Sequence, residues 1–298
     1  MLDFLLEMPM GEFLIYFGLF AITCIAVGWF WVNADGSSQY KLPAEDELTS
    51  FELAALRDGR TGVIHTALFN LWHRGLLASD RNSANPKVQR VNVTTENPNG
   101  EIEDAIYQFT WTARRPTEYF TDTALRKKLD PLIRPINRKL EKMHLKFKED
   151  HLDRASIAKF VILALIFAAA GAKIYHSMFA DEPFIFILAA LVVAVGATHY
   201  LIKPSRNTRL GLIHVRKMQE RFAWARGENP NDGLDPALRV AIFGISALSG
   251  ITMFASFQNT FATTETIGAA TGGCGLGGCA GGGGGCGGGG GCGGGGGS

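Results

Sequence analysis

Apolar runs and charge-rich stretches alternate along the chain. Phe13 to Val32 is twenty residues without a charge. A helix rising 1.5 Å per residue over that length crosses the hydrocarbon core of a bilayer. Trp29 and Trp31 near its end suit the interface. The preceding residues carry Asp3, Glu7 and Glu12 but no Lys or Arg, so the basic n-region of a signal peptide is missing. The pattern predicts an uncleaved span over 13–32, with 1–12 ahead of it. A second span is predicted over 160–180, where Lys173 lies near the far end and can snorkel to the headgroups. A third is predicted over 184–202, after the short turn Asp181-Glu182-Pro183. Ala164, Ala168 and Ala172 line one face of the second span, and Ala190, Ala194 and Thr198 one face of the third. Small residues four apart allow close helix contact, though alanine-rich membrane composition gives the same pattern.

Val240 to Phe257 is the interrupted run. It is uncharged but holds Gly and Ser. At 100° per residue its large apolar side chains fall all round the helix, unlike those of a surface-lying helix. This predicts a fourth span over 240–257.

The region between the first two spans, 33–156, reads as a soluble domain. Thr49 and Glu52 have capping-box spacing before Phe51-Leu53-Ala54-Leu56. That helix should stop at Asp58-Gly59. A second helix is expected from about Gly62 to Arg74, with Ile64, Ala67, Leu68 and Leu71 inward. Leu76 to Ala78 and Val88 to Thr94 read as strands around the polar turn 82–86. Two helices and a hairpin over 45–95 suggest a winged-helix-like unit. Ile102, Ile106 and Phe109 predict a short helix beyond it. Residues 120–156 read as basic juxtamembrane helices, with Pro131 and Pro135 near a helix start. There, Ile136, Leu140, Met143 and Phe147 form an apolar stripe. Its basic flank suits anionic headgroups, or equally solvent on an ordinary domain helix. In 203–238, Asn207-Thr208 can cap a second basic amphipathic helix carrying Leu210, Ile213, Met218 and Phe222. The two should pack together or share one membrane surface.

Charge orients these pieces. Residues 126–159 hold eleven basic and five acidic side chains, and 203–226 hold seven and one. The N-terminus and the 181–183 turn are acidic. The positive-inside rule puts 33–159 and 203–238 in the cytosol. Nucleic acid is disfavoured as a partner. Residues 45–104 hold six basic and ten acidic side chains, a net of −4, where phosphate contacts need the opposite sign.

The tail, 258–298, has a chemistry of its own. Residues 272–298 contain 20 Gly, four Cys and three others. With Leu276 and Ala280 as its only aliphatic side chains it has no core to bury, so disorder is expected. Its four thiols, Cys274, Cys279, Cys286 and Cys292, are the candidate site. The spacings are four, six and five residues, unlike the paired CxxC of a zinc ribbon. Thiolates can still capture Zn or Cu(I). Fixing a glycine-rich backbone costs about 1–2 kcal/mol per residue, against about 10–16 kcal/mol from a structural zinc, so any complex stays mostly loose. Conversion of Gly-Cys steps to thiazoles and disulfide bonding are the other readings, beside a tail with no role. If 240–257 spans, the tail is extracytoplasmic; if it does not, the tail is cytosolic.

Other chemistry is sparse. No HExxH, P-loop or serine elbow occurs. Gly273, Gly275 and Gly278 match GxGxxG only because the tract is glycine-rich. The seven His are scattered. His65, His73, His144, His151 and His214 read as surface or half-buried residues, and His176 and His199 lie near opposite ends of the hairpin. No catalytic residues and no bound cofactor are expected.

The N-terminal span, the run Phe51 to Gly59, Ala67-Leu68 with Arg74 to Leu77, the basic juxtamembrane region and Val240 to Gly244 occur in order. Together with the tail they cover essentially the whole chain. This combination resembles a family of uncharacterised bacterial membrane proteins with Gly/Cys-rich C-termini. The resemblance implies an inner-membrane protein linked to peptide modification, and supplies no catalytic residues.

The sequence therefore predicts a mainly α-helical integral membrane protein. It has a small α+β winged-helix-like cytosolic domain and a disordered Gly/Cys tail. The expected role is a non-enzymatic anchor that presents the tail for modification or soft-metal binding. Its expected partners are the lipid bilayer and a modifying enzyme or regulatory protein. A membrane sensor or regulator, with the winged-helix-like unit as its output, is the alternative. Oligomeric state is left open.

Overall fold

A computed structural model of the protein describes residues 9–33, 35–44, 46–79, 86–91, 97–179, 185–201, 206–226, 233–248, 251, 254–261 and 264. In chain order its helices and strands are α1 (Met10–Asn33), α2 (Ser50–Asp58), α3 (Arg60–His73), β1 (Leu77–Ser79), β2 (Val88–Arg90), α4 (Glu101–Phe109), α5 (Glu118–Thr121), α6 (Thr123–Lys142), α7 (Glu149–Phe179), α8 (Ile185–Leu201), α9 (Arg209–Arg221), α10 (Pro236–Phe243) and α11 (Ala255–Phe261). Short 3-10 turns cover Gly36–Gln39, Ala223–Arg226 and Ile245–Leu248. The protein is mostly helical, with one small two-stranded sheet.

Helices α1, α7 and α8 pack on one another around a small core of their own, formed by Phe13, Phe17, Ala21, Ile162, Ile166, Ala170, Ile187 and Leu191 among others. Two of these helices, over Gly11–Val32 and Ser156–Ser177, are long and apolar enough to cross a membrane. Helix α8 is apolar but shorter. At 31 residues α7 extends well beyond an apolar core, so its charged first turns lie outside the apolar window. Its contact stripe differs from the expected one. Ala164 and Ala168 are exposed, and Ile162, Ile166 and Ala170 face the bundle. Helix α7 meets both α1 and α8, and the larger side chains fill the space between three helices. On α8, Ala194 and Thr198 are buried as expected. Lys173 does not snorkel. It is 1 % exposed, with its Nζ 5.7 Å from the centre of the Phe13 ring. The turn at 181–183 lies outside the described residues.

The remaining helices form a second body with its own core. The capping box is present: Thr49 Oγ1 accepts from the Glu52 amide at 3.3 Å, and Glu52 Oε2 accepts from the Thr49 amide at 2.9 Å. Helix α2 stops at Gly59, whose φ is 63°, a value open to glycine. The hairpin is antiparallel with Ala78 opposite Gln89. Helix, helix and hairpin thus occur where expected. Residues Gly62 to Phe69 of the second helix, α3, are buried without a break.

Helix α6 corrects two details. Pro131 and Pro135 lie well inside it rather than near its start. Each removes one amide hydrogen bond. Both sit on the exposed face with Lys127, so water satisfies the carbonyls they release. The buried stripe begins earlier, at Leu125, Leu129 and Ile133, and runs to Leu140. It packs on α2 and α4.

The main correction concerns 240–257, which is not one helix. Helix α10 ends at Gly244, whose φ is 88°. The 3-10 turn Ile245–Leu248 follows, and then α11. Val240, Ile242, Ile245, Leu248, Ile251, Phe254 and Phe257 are all buried in the core of the second body. A segment enclosed on every side is apolar all round, as a span is. Enclosure by protein explains that pattern here.

Candidate functional site

The four tail cysteines, Cys274, Cys279, Cys286 and Cys292, lie outside the described residues. The structure does describe the segment from which the tail departs, and that root is held at several points.

Helix α10 is fixed at both ends. Asp235 accepts from the Ala237 amide at 3.0 Å, and Pro236 occupies the first turn, where its missing N–H costs nothing. At the other end Arg57 Nη1 donates to the carbonyls of Val240 at 2.7 Å and Ala241 at 3.0 Å. Gln219 Nε2 donates to Ile242 O at 3.1 Å. These carbonyls belong to the last turn, where the Gly244 amide bonds Val240 O at 2.9 Å and the side chains add further donors, and a guanidinium there also suits the helix dipole. Arg57 in turn is held by Asp58 at 2.6 Å.

Helix α11 is fixed by aromatic packing. Phe254, Phe257 and Phe261 recur at intervals of three and four, so they share one face. The Phe69 ring meets Phe254 and Phe257 edge-on, with centroids 5.1 and 5.3 Å away. Trp72 meets Phe257 at 5.6 Å and Phe261 at 6.3 Å, and Tyr119 meets Phe261 at 6.4 Å. Edge-on pairs add about 0.5–1.5 kcal/mol each beyond burial.

The last described residue, Thr264, is fully buried. Its Oγ1 donates to Phe261 O at 2.6 Å and lies 2.9 Å from His65 Nε2. A hydroxyl has one proton. With that proton on Phe261 O, Thr264 accepts from His65, which fixes the Nε2–H tautomer. Burial, with the nearby Arg57 charge, pushes the His65 pKa down to about 3. His65 is therefore a neutral donor at the tail root. It and His214, both taken from the sequence as surface or half-buried, are 2 % and 1 % exposed.

A second node joins the apolar bundle to this body. Just after α1, Asp35 Oδ1 accepts from the Ser37 amide at 2.8 Å. Asp35 Oδ2 accepts from the Arg209 amide, and Ser37 Oγ accepts from the Leu210 amide at 3.1 Å. These satisfy first-turn amides of α9. Thr208 caps the same helix through Gly211 N and donates its hydroxyl to His144 O at 2.7 Å. Lys146 and Asn207 form an antiparallel bridge. His144 ends α6 in the left-handed conformation, at φ 58°, and stacks on Tyr40 with centroids 3.7 Å apart. The three chain segments that connect bundle and body thus meet in one polar collar. The pairing of the two basic helices is realised through their ends, 144–147 and 206–208, rather than along their lengths.

Beside the collar, Leu42, Pro43, Ala44 and Asp46 face His214, Lys217, Met218 and Arg221 of α9 across a cleft of about 500 Å³. Among the described residues no three His, Cys, Asp or Glu side chains gather to hold a metal ion. The sequence did not single out Asp35, Arg57 or Thr264. Their partners are 174, 183 and 199 residues away, and only the Asp35 position, polar and close after an apolar run, carried a local signal.

Comparison of the chain with protein-family models, with curated proteins and with solved structures found no match.

Proposed function

We propose that this protein is a non-enzymatic membrane anchor that holds its Cys/Gly-rich tail on the same side of the membrane as its helical body. One observation carries the reading. The residues that lead into the tail are built into the core of that body, and Thr264 is bonded to His65 at 2.9 Å. From Thr264 to Cys274 is only ten residues. The apolar bundle serves as the multi-pass anchor in the inner membrane. The positive-inside rule then places body and tail in the cytosol. In that reducing compartment the four thiols persist as thiols, available to a modifying enzyme or to soft metals such as Zn or Cu(I). The resemblance to membrane proteins with Gly/Cys-rich C-termini fits this role.

Thiol labelling tests the topology. A membrane-impermeant maleimide should leave Cys274, Cys279, Cys286 and Cys292 unlabelled in intact spheroplasts and label them in everted vesicles. Labelling in intact spheroplasts would overturn the reading. The intact mass of the C-terminal peptide from the native host tests the chemistry. Loss of a water and two hydrogens per heterocycle, insensitive to reductant, marks modification. An unmodified mass with metal-dependent protection of the thiols marks metal binding. Exchange of all four Cys for Ser, with no consequence for the cell, would reject both roles.

A further inference from the structure

We propose that the exposed basic face of helix α6 docks on the anionic lipid headgroups of the inner leaflet and so fixes the orientation of the helical body on the membrane. The proposal rests on the membrane reading above, and its test separates the two. Lys127, Pro131, Arg134, Arg138 and Lys142 recur at intervals of three and four along α6, with Lys128 and Pro135 beside them. They share one face, and all of them are exposed. From Lys127 to Lys142 that face runs about 22 Å. Lys127, Lys128, Arg134, Arg138 and Lys142 have no ion-pair partner among the described residues. Helices α2, α4 and α5 pack on the other, buried side.

The carboxylates around this face do not cancel it. Asp130, on one border, is met by Arg60 at 2.9 Å and by Arg126 at 3.8 Å. Lys139, on the other border, is met by Glu52 at 2.9 Å. Its Nζ also donates to Glu47 O, next in the chain to Glu45 and Asp46. Residues 126–159, with Glu141, Glu149 and Asp150 counted, hold eleven basic and five acidic side chains. That excess outweighs Glu45, Asp46, Glu47 and Glu52 together. Residues 45–104 of the same body net −4. An anionic surface therefore attracts the α6 face and disfavours approach by the acidic remainder.

Position selects a lipid surface over other polyanions. Helix α6 runs into the collar, where His144 O accepts from Thr208 Oγ1 at 2.7 Å. The amide of the next residue, Arg209, is held by Asp35, and Asp35 follows closely on Val32, where the apolar window of α1 ends. At about 3.6 Å per residue, with two hydrogen-bonded steps added, His144 lies within about 25 Å of that window. The basic face begins at Lys142, just before His144. Lys and Arg clustered on a helix on the cytoplasmic side of a span suit anionic headgroups. Every large apolar side chain of α6 is buried or half-buried. The contact is therefore electrostatic, made without insertion, and sensitive to salt.

The test uses the full chain in nanodiscs of phosphatidylcholine, alone or with phosphatidylglycerol added. Amine acetylation is read lysine by lysine by mass spectrometry. Lys127, Lys128 and Lys142 should react at least about fivefold more slowly in the anionic discs, since each cation near such a surface gains about that factor. Lys87, exposed on the hairpin, should react alike in both. The shielding should vanish at about 1 M salt, where the screening length is about 3 Å. Arg134→Gln/Arg138→Gln should release the three lysines, and Arg134→Lys/Arg138→Lys should keep them shielded. Both positions are exposed, so folding survives, which the melting temperature checks. Equal rates in the two discs, shielding unchanged in the Gln variant, or equal slowing at Lys87 would overturn the proposal. So would shielding that arises in pure phosphatidylcholine from an added oligonucleotide or a second chain in the disc, with none from phosphatidylglycerol. Extraction of the chain from native membranes by alkaline carbonate would instead sink the membrane reading, whatever the labelling result.

Discussion

His65 Nε2 donates to Thr264 Oγ1 at 2.9 Å across 199 residues of sequence. The bond closes the route by which the chain leaves its folded body. His65 lies on α3, which is buried almost throughout, and its ring also meets Phe120 at 4.7 Å. Thr264 is thus tied to a largely buried helix, and the tail begins from a fixed point.

Thr264→Val removes the acceptor and keeps the shape. It leaves the His65 N–H buried without its partner, which costs about 1–3 kcal/mol. Thr264→Ser should retain the bond. The expected result is a lower melting temperature and faster amide exchange across 254–264 for Val but not for Ser. Equal exchange in both variants would show that aromatic packing alone fixes the root.

Burial of the same histidine, with the Arg57 charge nearby, makes the root acid-sensitive. The folded pKa of His65 is about 3, below its ordinary 6.5. Between these values the unfolded chain binds the extra proton, so stability rises with pH. It is lost as pH falls from about 6.5 towards 3, with a limiting slope of about 1.4 kcal/mol per pH unit. Melting curves over this range should show the loss. His65→Gln, which keeps a side-chain donor and does not titrate, should flatten it.

Local chemistry made much of the body legible. Thr49 and Glu52 formed their box, Gly59 stopped α2, and residues around Leu77 and Val88 paired. Each of these depends on neighbours within a few residues. The segment 240–257 misled because enclosure by protein and enclosure by lipid select the same side chains. Gly244, with its φ of 88°, ends the first helix, and a glycine in an apolar run is weak punctuation. Pro131 and Pro135 suggested a helix start, although an exposed helical face tolerates them. The root and the collar were invisible because Arg57, Asp35 and Thr264 act on segments joined only by tertiary structure.

Gly211 sets how closely α9 approaches the collar. A Cβ at this position would lie 2.2 Å from Leu145 O and 3.1 Å from Leu56 Cδ1. The first is backbone, fixed by the bond from Thr208 N to Leu145 O at 3.1 Å, so the helix itself must shift. Gly211→Ala should destabilise by about 1–3 kcal/mol. Gly196→Ala, where nothing lies within 4 Å, should be neutral or stabilising by up to about 1 kcal/mol. Thermal melts of the two variants in detergent check the contrast. A neutral Gly211→Ala would mean that the collar yields easily.

Alkaline pH should act on the collar and on the root core with opposite signs. Burial and the neighbouring Arg206 push the Lys146 pKa down to about 8 from 10.5, partly offset by Glu141, while its Nζ donates to Asn137 at 2.9 Å. The folded state then binds fewer protons than the unfolded chain between these values. A penalty present below pH 8 is relieved as pH rises through 10.5. Tyr119 behaves in reverse. Burial raises its pKa from 10 to about 12, so stability is lost as pH climbs through that window. The expected profile rises from pH 8, peaks near the ordinary tyrosine pKa and then falls. Lys146→Met should remove the rise and stabilise the protein at pH 7. Tyr119→Phe should remove the fall, at the cost of its hydrogen bond to Thr110. A rise that survives in Lys146→Met would assign it to another group and release the collar from this role.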